Sequence, residues 1–155
     1  MRILVSVLLA VTLLRSSALA CYCDETPFRE EAAGADLVFI GVVTETRTWL
    51  NTGKDPCCEG RVSWSATVAV DRFVKGYASP TPLVVGGGST SCDVDASVLH
   101  VGELYAFAFN TKKDGRRPYR VAMCRKTYAA VRQPGNQGEV SIAEVETFAR
   151  GRTKQ

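Results

Sequence analysis

The chain has 155 residues, with 19 Lys and Arg against 16 Asp and Glu, a formal net charge of +3 and six cysteines. That length suits one ordinary domain with a real core, and the near balance of charge argues against a dedicated nucleic-acid binder. The even cysteine count points to disulfides if the chain is exported.

The first twenty residues carry Arg2, an apolar run from Ile3 to Leu14, Arg15 and the small-residue triplet Ala18-Leu19-Ala20. This is the layout of a secretory signal peptide cleaved after Ala20. The run is too short for a membrane-spanning helix, which needs about 20 residues, and no later segment is long enough, so no transmembrane segment is expected. Cleavage would leave 135 residues, the 155 less the first 20, beginning Cys21-Tyr22-Cys23. The expected location is secreted, extracellular or periplasmic. A cysteine directly after such a segment also fits lipoprotein processing, with a lipid anchor on Cys21 as the alternative.

After Cys23, the segment Thr26-Pro27 can open a short helix to about Ala33, with Thr26 as cap and Pro27 at the first helical position. Asp36–Val43 is a compact apolar run suited to a strand covered on both faces. The segment Thr48–Arg61, with Trp49, Leu50, Gly53, Pro56 and Cys57-Cys58, reads as a long loop, and long loops in small domains are often functional. From Val62 to Val70 the alternation is regular, with Val62, Trp64, Ala66, Val68 and Val70 on one face: a half-buried strand. It ends at Phe73-Val74-Lys75-Gly76, a turn signal.

Leu83–Val85 reads as a short strand running into Gly86-Gly87-Gly88, where missing side chains permit a bulge or close backbone approach. Glu103–Asn110 and Tyr119–Arg125 are two more strands, joined by a hairpin with an Asp114-Gly115 turn. Ser141-Ile142-Ala143-Glu144 is a capping box. Ile142, Val145 and Phe148 recur at helical spacing, which predicts a terminal helix covering the sheet. Five strands at this spacing suggest a small barrel or sandwich. The domain spans 21–150, and the tail 151–155 is expected to be disordered.

Charge is unevenly spread. Residues 111–132 hold Lys112, Lys113, Arg116, Arg117, Arg120, Arg125, Lys126 and Arg132 against Asp114 alone, while residues 21–36 hold five acids against Arg29. A solvated surface explains both blocks, and a polyanion site on the basic one is the alternative.

The chemically informative feature is the Cys21-Tyr22-Cys23 triplet. In an extended segment, residues i and i+2 face one way and i+1 the other. If both cysteines bond to the body of the domain, they hold the amino terminus as a rigid ridge from which Tyr22 projects. Cys92 and Cys124 are the natural far partners. A simple tether that pins the terminus would explain the same residues.

These residues, with Ala35-Asp36-Leu37-Val38-Phe39, the run Val68–Gly76, Ser91-Cys92, the run Val101–Ala108 and Val121-Ala122-Met123-Cys124, resemble the amino-terminal domain of the tissue inhibitors of metalloproteinases. The resemblance covers about Cys21 to Tyr128. It implies a netrin-like, five-stranded closed barrel of the oligonucleotide-binding (OB) type, with a short N-terminal helix and a C-terminal helix. It also implies disulfides Cys21–Cys92 and Cys23–Cys124, which close loops worth about 4 to 5 kcal/mol each in the chain-entropy model. In that family the α-amine and carbonyl oxygen of the first residue chelate the protease zinc, whose open coordination position is available to such a ligand. The resemblance thus makes Cys21 the chelator and Tyr22 the residue entering the specificity pocket. Cys23, Asp24, Trp49, Leu50, Thr90 and Ser91 become further protease contacts. The family usually has a small residue at the position of Tyr22, so a deep-pocketed target is implied. No cysteine matches the family's third bridge, and the pairing of Cys57 and Cys58 stays open.

Two function classes follow: an exported inhibitor whose partner is a zinc metalloprotease, or a non-inhibitory envelope, extracellular binding or adhesion module of the same fold. An enzyme is not expected, because nucleophilic catalysis needs a base in reach of the nucleophile and His100 is the only histidine. No cofactor and no intrinsic metal are expected. No cysteine pair has the two-residue gap of a zinc site, and Asp93 and Asp95 lack the glycine and distal glutamate of a calcium loop.

Overall fold

The alternation read along Val62–Val70 becomes the centre of a twisted sheet. The computed structural model describes residues 26–50, 62–87, 96–111, 119–121 and 125–151. The signal segment, all six cysteines, Tyr22, Asp24, Thr90, Ser91, Asp93, Asp95, the Asp114-Gly115 turn and the tail 152–155 lie outside the described residues. The expected pairing of the cysteines therefore lies outside them too.

Among the described residues the protein is mainly β, with a curled half-barrel sheet of six strands and two helices. In chain order the elements are helix α1 (Phe28–Gly34), β1 (Leu37–Leu50), β2 (Val62–Lys75), β3 (Leu83–Gly87), one turn of 3-10 helix (Ala96–Val98), β4 (Leu104–Phe109), β5 (Tyr119–Arg120), β6 (Tyr128–Ala130) and helix α2 (Ile142–Arg150). The sheet order is β5-β3-β2-β1-β4-β6. All neighbouring pairs are antiparallel except β3 with β5, which is parallel. Among the described residues, no helix is long and apolar enough to cross a membrane.

The curl is measurable. In the sheet order β5 and β4 stand four strands apart, so in a flat sheet they would be separated by about 19 Å at ~4.8 Å per strand. Instead the ring of Tyr119 on β5 stacks on Phe109 of β4, with centroids 5.1 Å apart and planes 22° apart. Phe39 of β1 fills the space between them, 6.4 Å from Tyr119 and 5.2 Å from Phe107. Register shifts between β1 and β2 at Val38/Phe39, Ile40/Gly41 and Val43/Glu45 bend the central ribbon, since a bulge adds local twist.

The pleat divides the apolar residues into two clusters. Leu37, Phe39, Val43, Trp64, Ala66, Val68, Val84, Tyr105, Phe107, Phe109, Tyr119 and Val121 fill the concave side. Val38, Ile40, Leu104, Ala106 and Ala108 point the other way, where Phe28, Ala32 and Ala35 of the α1 region and Val145 and Ala149 of α2 cover them. A sheet covered on both faces explains why β1 begins as an unbroken apolar run instead of an alternation. Helix α2 starts as its sequence predicts: Ser141 Oγ accepts from the Glu144 amide at 3.2 Å, and the Glu144 carboxylate accepts from the Ser141 amide at 2.7 Å.

Several expectations are corrected. Thr26 does not cap α1; Pro27 occupies that position without a side-chain bond, because the Thr26 backbone is committed to a bridge with Arg125. The loop expected from Thr48 starts later, since β1 continues to Leu50, paired with Val62. Strand β2 runs through Lys75, so it ends within the expected Phe73–Gly76 turn signal. Of the strand expected over Tyr119–Arg125, Tyr119–Arg120 form β5 and residues 122–124 lie outside the described residues, while a further strand, not expected, forms at Tyr128–Ala130. Ser63 and Ser65, expected on an open face, are 8% and 9% exposed.

Gly86 is the glycine the packing demands. It is the register partner of Trp64, and a β-carbon there would run into the indole, with Nε1 only 2.8 Å away. Trp64 is itself 1% exposed and cannot retreat. Gly86→Val is expected to cost about 1 to 3 kcal/mol by overpacking, read as a lower urea midpoint at unchanged denaturant slope.

Candidate functional site

The described residues next to the Cys21-Tyr22-Cys23 triplet in sequence, and those expected to contact a partner with it, lie at two ends of the central strands. Three residues beyond Cys23, Thr26 pairs with Arg125 in a parallel bridge, and its carbonyl accepts from the Lys126 amide at 3.2 Å. Arg125 is the residue after Cys124. Its guanidinium reaches α1 with a two-pronged grip on Glu31, Nε to Oε1 at 3.0 Å and Nη2 to Oε2 at 2.8 Å. The Glu31 side chain is 11% exposed and that of Arg125 29%, so this is a largely desolvated fork of the kind that fixes geometry as well as energy. The chain entering α1 is thereby tied to the segment that leaves Cys124.

A second tie holds the next corner. The Asp36 carboxylate, between α1 and β1, accepts from the Thr111 amide at 2.6 Å and its hydroxyl at 2.8 Å. Gly76, at φ 68°, closes β2 against this corner, and a side chain there would meet the Asp36 carbonyl oxygen. The left-handed backbone and the close approach both require glycine.

The opposite end of the central ribbon carries Trp49 and Leu50, 45% and 58% exposed, with Val62 at 56% beside them. These three form an apolar tip where the β1–β2 pair ends. Trp49 and Gly87 flank Ser63 on either side in the register, about 10 Å apart at two strand spacings. Thr90 and Ser91 follow Gly87 by three and four residues. The fold therefore brings Trp49 and Leu50 to the end of the sheet from which the Thr90-Ser91 segment departs.

The opposite charges of the two blocks are partly spent inside the molecule. Arg125 pairs with Glu31, Lys126 with Glu139, and Arg132 lies 4.0 Å from Glu144. Three of the eight basic side chains of residues 111–132 thus already have acidic partners, which reduces the case for a polyanion surface. The Glu31–Arg125 contact joins residues 94 positions apart; its one trace in the sequence is that an acidic block precedes a basic one.

His100 is exposed, and its backbone amide donates to the Tyr105 hydroxyl at 3.1 Å. That hydroxyl donates in turn to Glu103 at 2.9 Å. Burial, with Glu103 adding and the His100 bond opposing, pushes the Tyr105 phenol up to about 12. Among the described residues no group of three or more His, Cys, Asp or Glu is placed to hold a metal ion.

No model of a known protein family matches the chain, and no curated protein matches it either.

Two measurements check this geometry. In a double-mutant cycle, Glu31→Ala and Arg125→Ala together should cost about 1.5 to 3 kcal/mol less than their separate effects summed; additive costs would show the fork to be idle. In a phenolate absorbance titration, one of the five tyrosines should ionise near pH 12, and Tyr105→Phe should remove that step. Because the folded state holds this proton more tightly than the ordinary tyrosine value of about 10, its stabilising contribution is complete below that value. It is lost as pH rises toward 12.

Proposed function

We propose that this chain is an exported inhibitor of zinc metalloproteases that works through its processed amino terminus. The observation carrying this reading is the Thr26–Arg125 bridge reinforced by the Glu31 fork. It sets Thr26, three residues after Cys23, beside Arg125, which follows Cys124, and this supports a Cys23–Cys124 bond. Three extended residues cover at most about 10 Å, so little slack separates Thr26 from Cys23. The placement of Gly87 beside the hairpin tip supports the second half of the arrangement, with Cys92 five residues farther on.

In this reading, signal cleavage after Ala20 frees the α-amine of Cys21. Disulfides Cys21–Cys92 and Cys23–Cys124 hold the terminus out as a ridge. The amine and the Cys21 carbonyl oxygen take the open position on the protease zinc, and an α-amine with a pKa near 8 loses its proton readily beside a dication. Tyr22 projects into a deep pocket of the protease, while Cys23, Asp24, Thr90 and Ser91 line the contact edge. Trp49 and Leu50 add an apolar contact from the hairpin tip. The sheet completes a five-stranded OB-type barrel, a reading supported by the Tyr119–Phe109 stack across its two sides and by the parallel β3–β5 pair.

The test is the exported protein with one alanine added ahead of Cys21. This addition moves the amine off the chelating position and leaves the fold alone. Inhibition of a panel of zinc metalloproteases should be lost while the unfolding midpoint is unchanged; undiminished inhibition by the extended protein rules out the mechanism.

A further inference from the structure

On the far side of the sheet order from β3 and β5, an open cleft of about 450 Å³ lies between the 3-10 turn, β4, β6 and the loop before α2. Among the described residues its lining shares none with the hairpin tip at Trp49 and Leu50. The volume falls within the range of small-ligand sites.

The chemistry of its wall is specific. Two carboxylates line it, Glu103 and Glu139. Lys126 neutralises Glu139. Among the described residues no cationic side chain pairs with Glu103; its Oε2 receives the Tyr105 hydroxyl, which the His100 amide steadies from behind. Glu103 therefore presents to the cleft a fixed carboxylate that has no cationic partner among the described residues. Beside it the Tyr128 ring stands at 60° to that of Tyr105, with centroids 6.4 Å apart, forming an aromatic corner.

The opposite wall is equally well fixed. The Asn136 side-chain oxygen accepts from the Gln133 and Gly138 amides at 2.8 and 3.2 Å. Gly138 sits so close to the backbone of Val131 and Arg132 that a β-carbon would collide with it. A carboxylate next to an aromatic ring, both held in place before any ligand arrives, is the arrangement that recognises an organic cation.

We propose that this cleft binds an alkyl guanidinium or ammonium group, such as the side chain of an arginine or lysine on a partner polypeptide. The Glu103 carboxylate supplies the ionic contact, the Tyr128 ring the apolar and cation–π contact, and the Asn136 loop closes one side. The site acts independently of the inhibitory terminus, and it exists whether or not the chain inhibits a protease.

The probes are N-acetyl-arginine amide, N-acetyl-lysine amide and N-acetyl-citrulline amide, titrated into 15N-labelled protein. Saturable shifts at the Tyr128 and Gly138 amides are expected with arginine, lysine or both, and the two charged probes show which head group fits better. Citrulline, of the same shape but neutral, should give at least about tenfold weaker binding, and so should Glu103→Gln with either charged probe. Tyr105→Phe, which releases the carboxylate without removing it, should weaken binding by a smaller factor and serves where Glu103→Gln perturbs the fold. The proposal is overturned by citrulline binding as well as arginine, by unchanged affinity in Glu103→Gln, or by shifts that map away from the cleft. Repeating the titration with the alanine-extended terminus separates the two sites: cation binding should persist there when inhibition is lost.

Discussion

The stack of Phe39, Phe107, Phe109 and Tyr119 is the interaction on which the rest of the molecule depends. Strands four places apart in the sheet order meet through these rings, so the sheet cannot be flat. Aromatic pairs contribute about 0.5 to 1.5 kcal/mol each beyond the area they bury, and four rings in mutual contact make the curled form cooperative. The bulges along β1 and β2 supply the bend that lets the rings meet. Once the sheet curls, its convex side presents Val38, Ile40, Ala106 and Ala108 as a surface that the two helices cover.

That helical layer orders the charges. The Glu31–Arg125 fork crosses from α1 to the run between β5 and β6, and the Thr26 bridge reinforces it. Exposed ion pairs contribute little, and Arg47 with Glu45 at the hairpin is one of these, 72% and 48% exposed. The Glu31 pair differs because water is largely displaced from the carboxylate, so losing either partner strands a charge. In the basic block Arg125 turns out to be an internal fastening, while Lys126 has an acidic partner in the exposed Glu139.

Much of the fold was legible because burial imposes a period. Trp64, Ala66 and Val68 declare one face of β2, the apolar run of β1 declares a strand covered on both sides, and Ser141 with Glu144 marks the start of α2. What stayed hidden has physical causes. The outer half of β1, Thr44 to Leu50, is held by ladder bonds to β2 and faces solvent, so it carries no apolar period and reads as loop. Strand β5 is short, with Tyr119 and Arg120 paired to β3 and the Val121 amide still bonded to Val85; β6 at Tyr128–Ala130 pairs with β4 and its three residues are too few to announce a strand. For the candidate site, Trp49 and Leu50 stand out as exposed apolar residues in both sequence and structure. The Glu31–Arg125 fork pairs residues far apart in the chain and has no local signature, and the Glu103 cleft is assembled from three separate stretches of chain.

The contact between the two helices also sets an order of events. Helix α1 packs against α2, with Arg29 lying over the Phe148 ring at 5.7 Å, and the Thr26 bridge needs Arg125. Neither partner exists until nearly the whole polypeptide has been made and delivered. A chain made from its amino end therefore holds α1 without its partners until the carboxyl-terminal part is in place. Shortening the carboxyl end would then loosen a helix more than a hundred residues away in sequence.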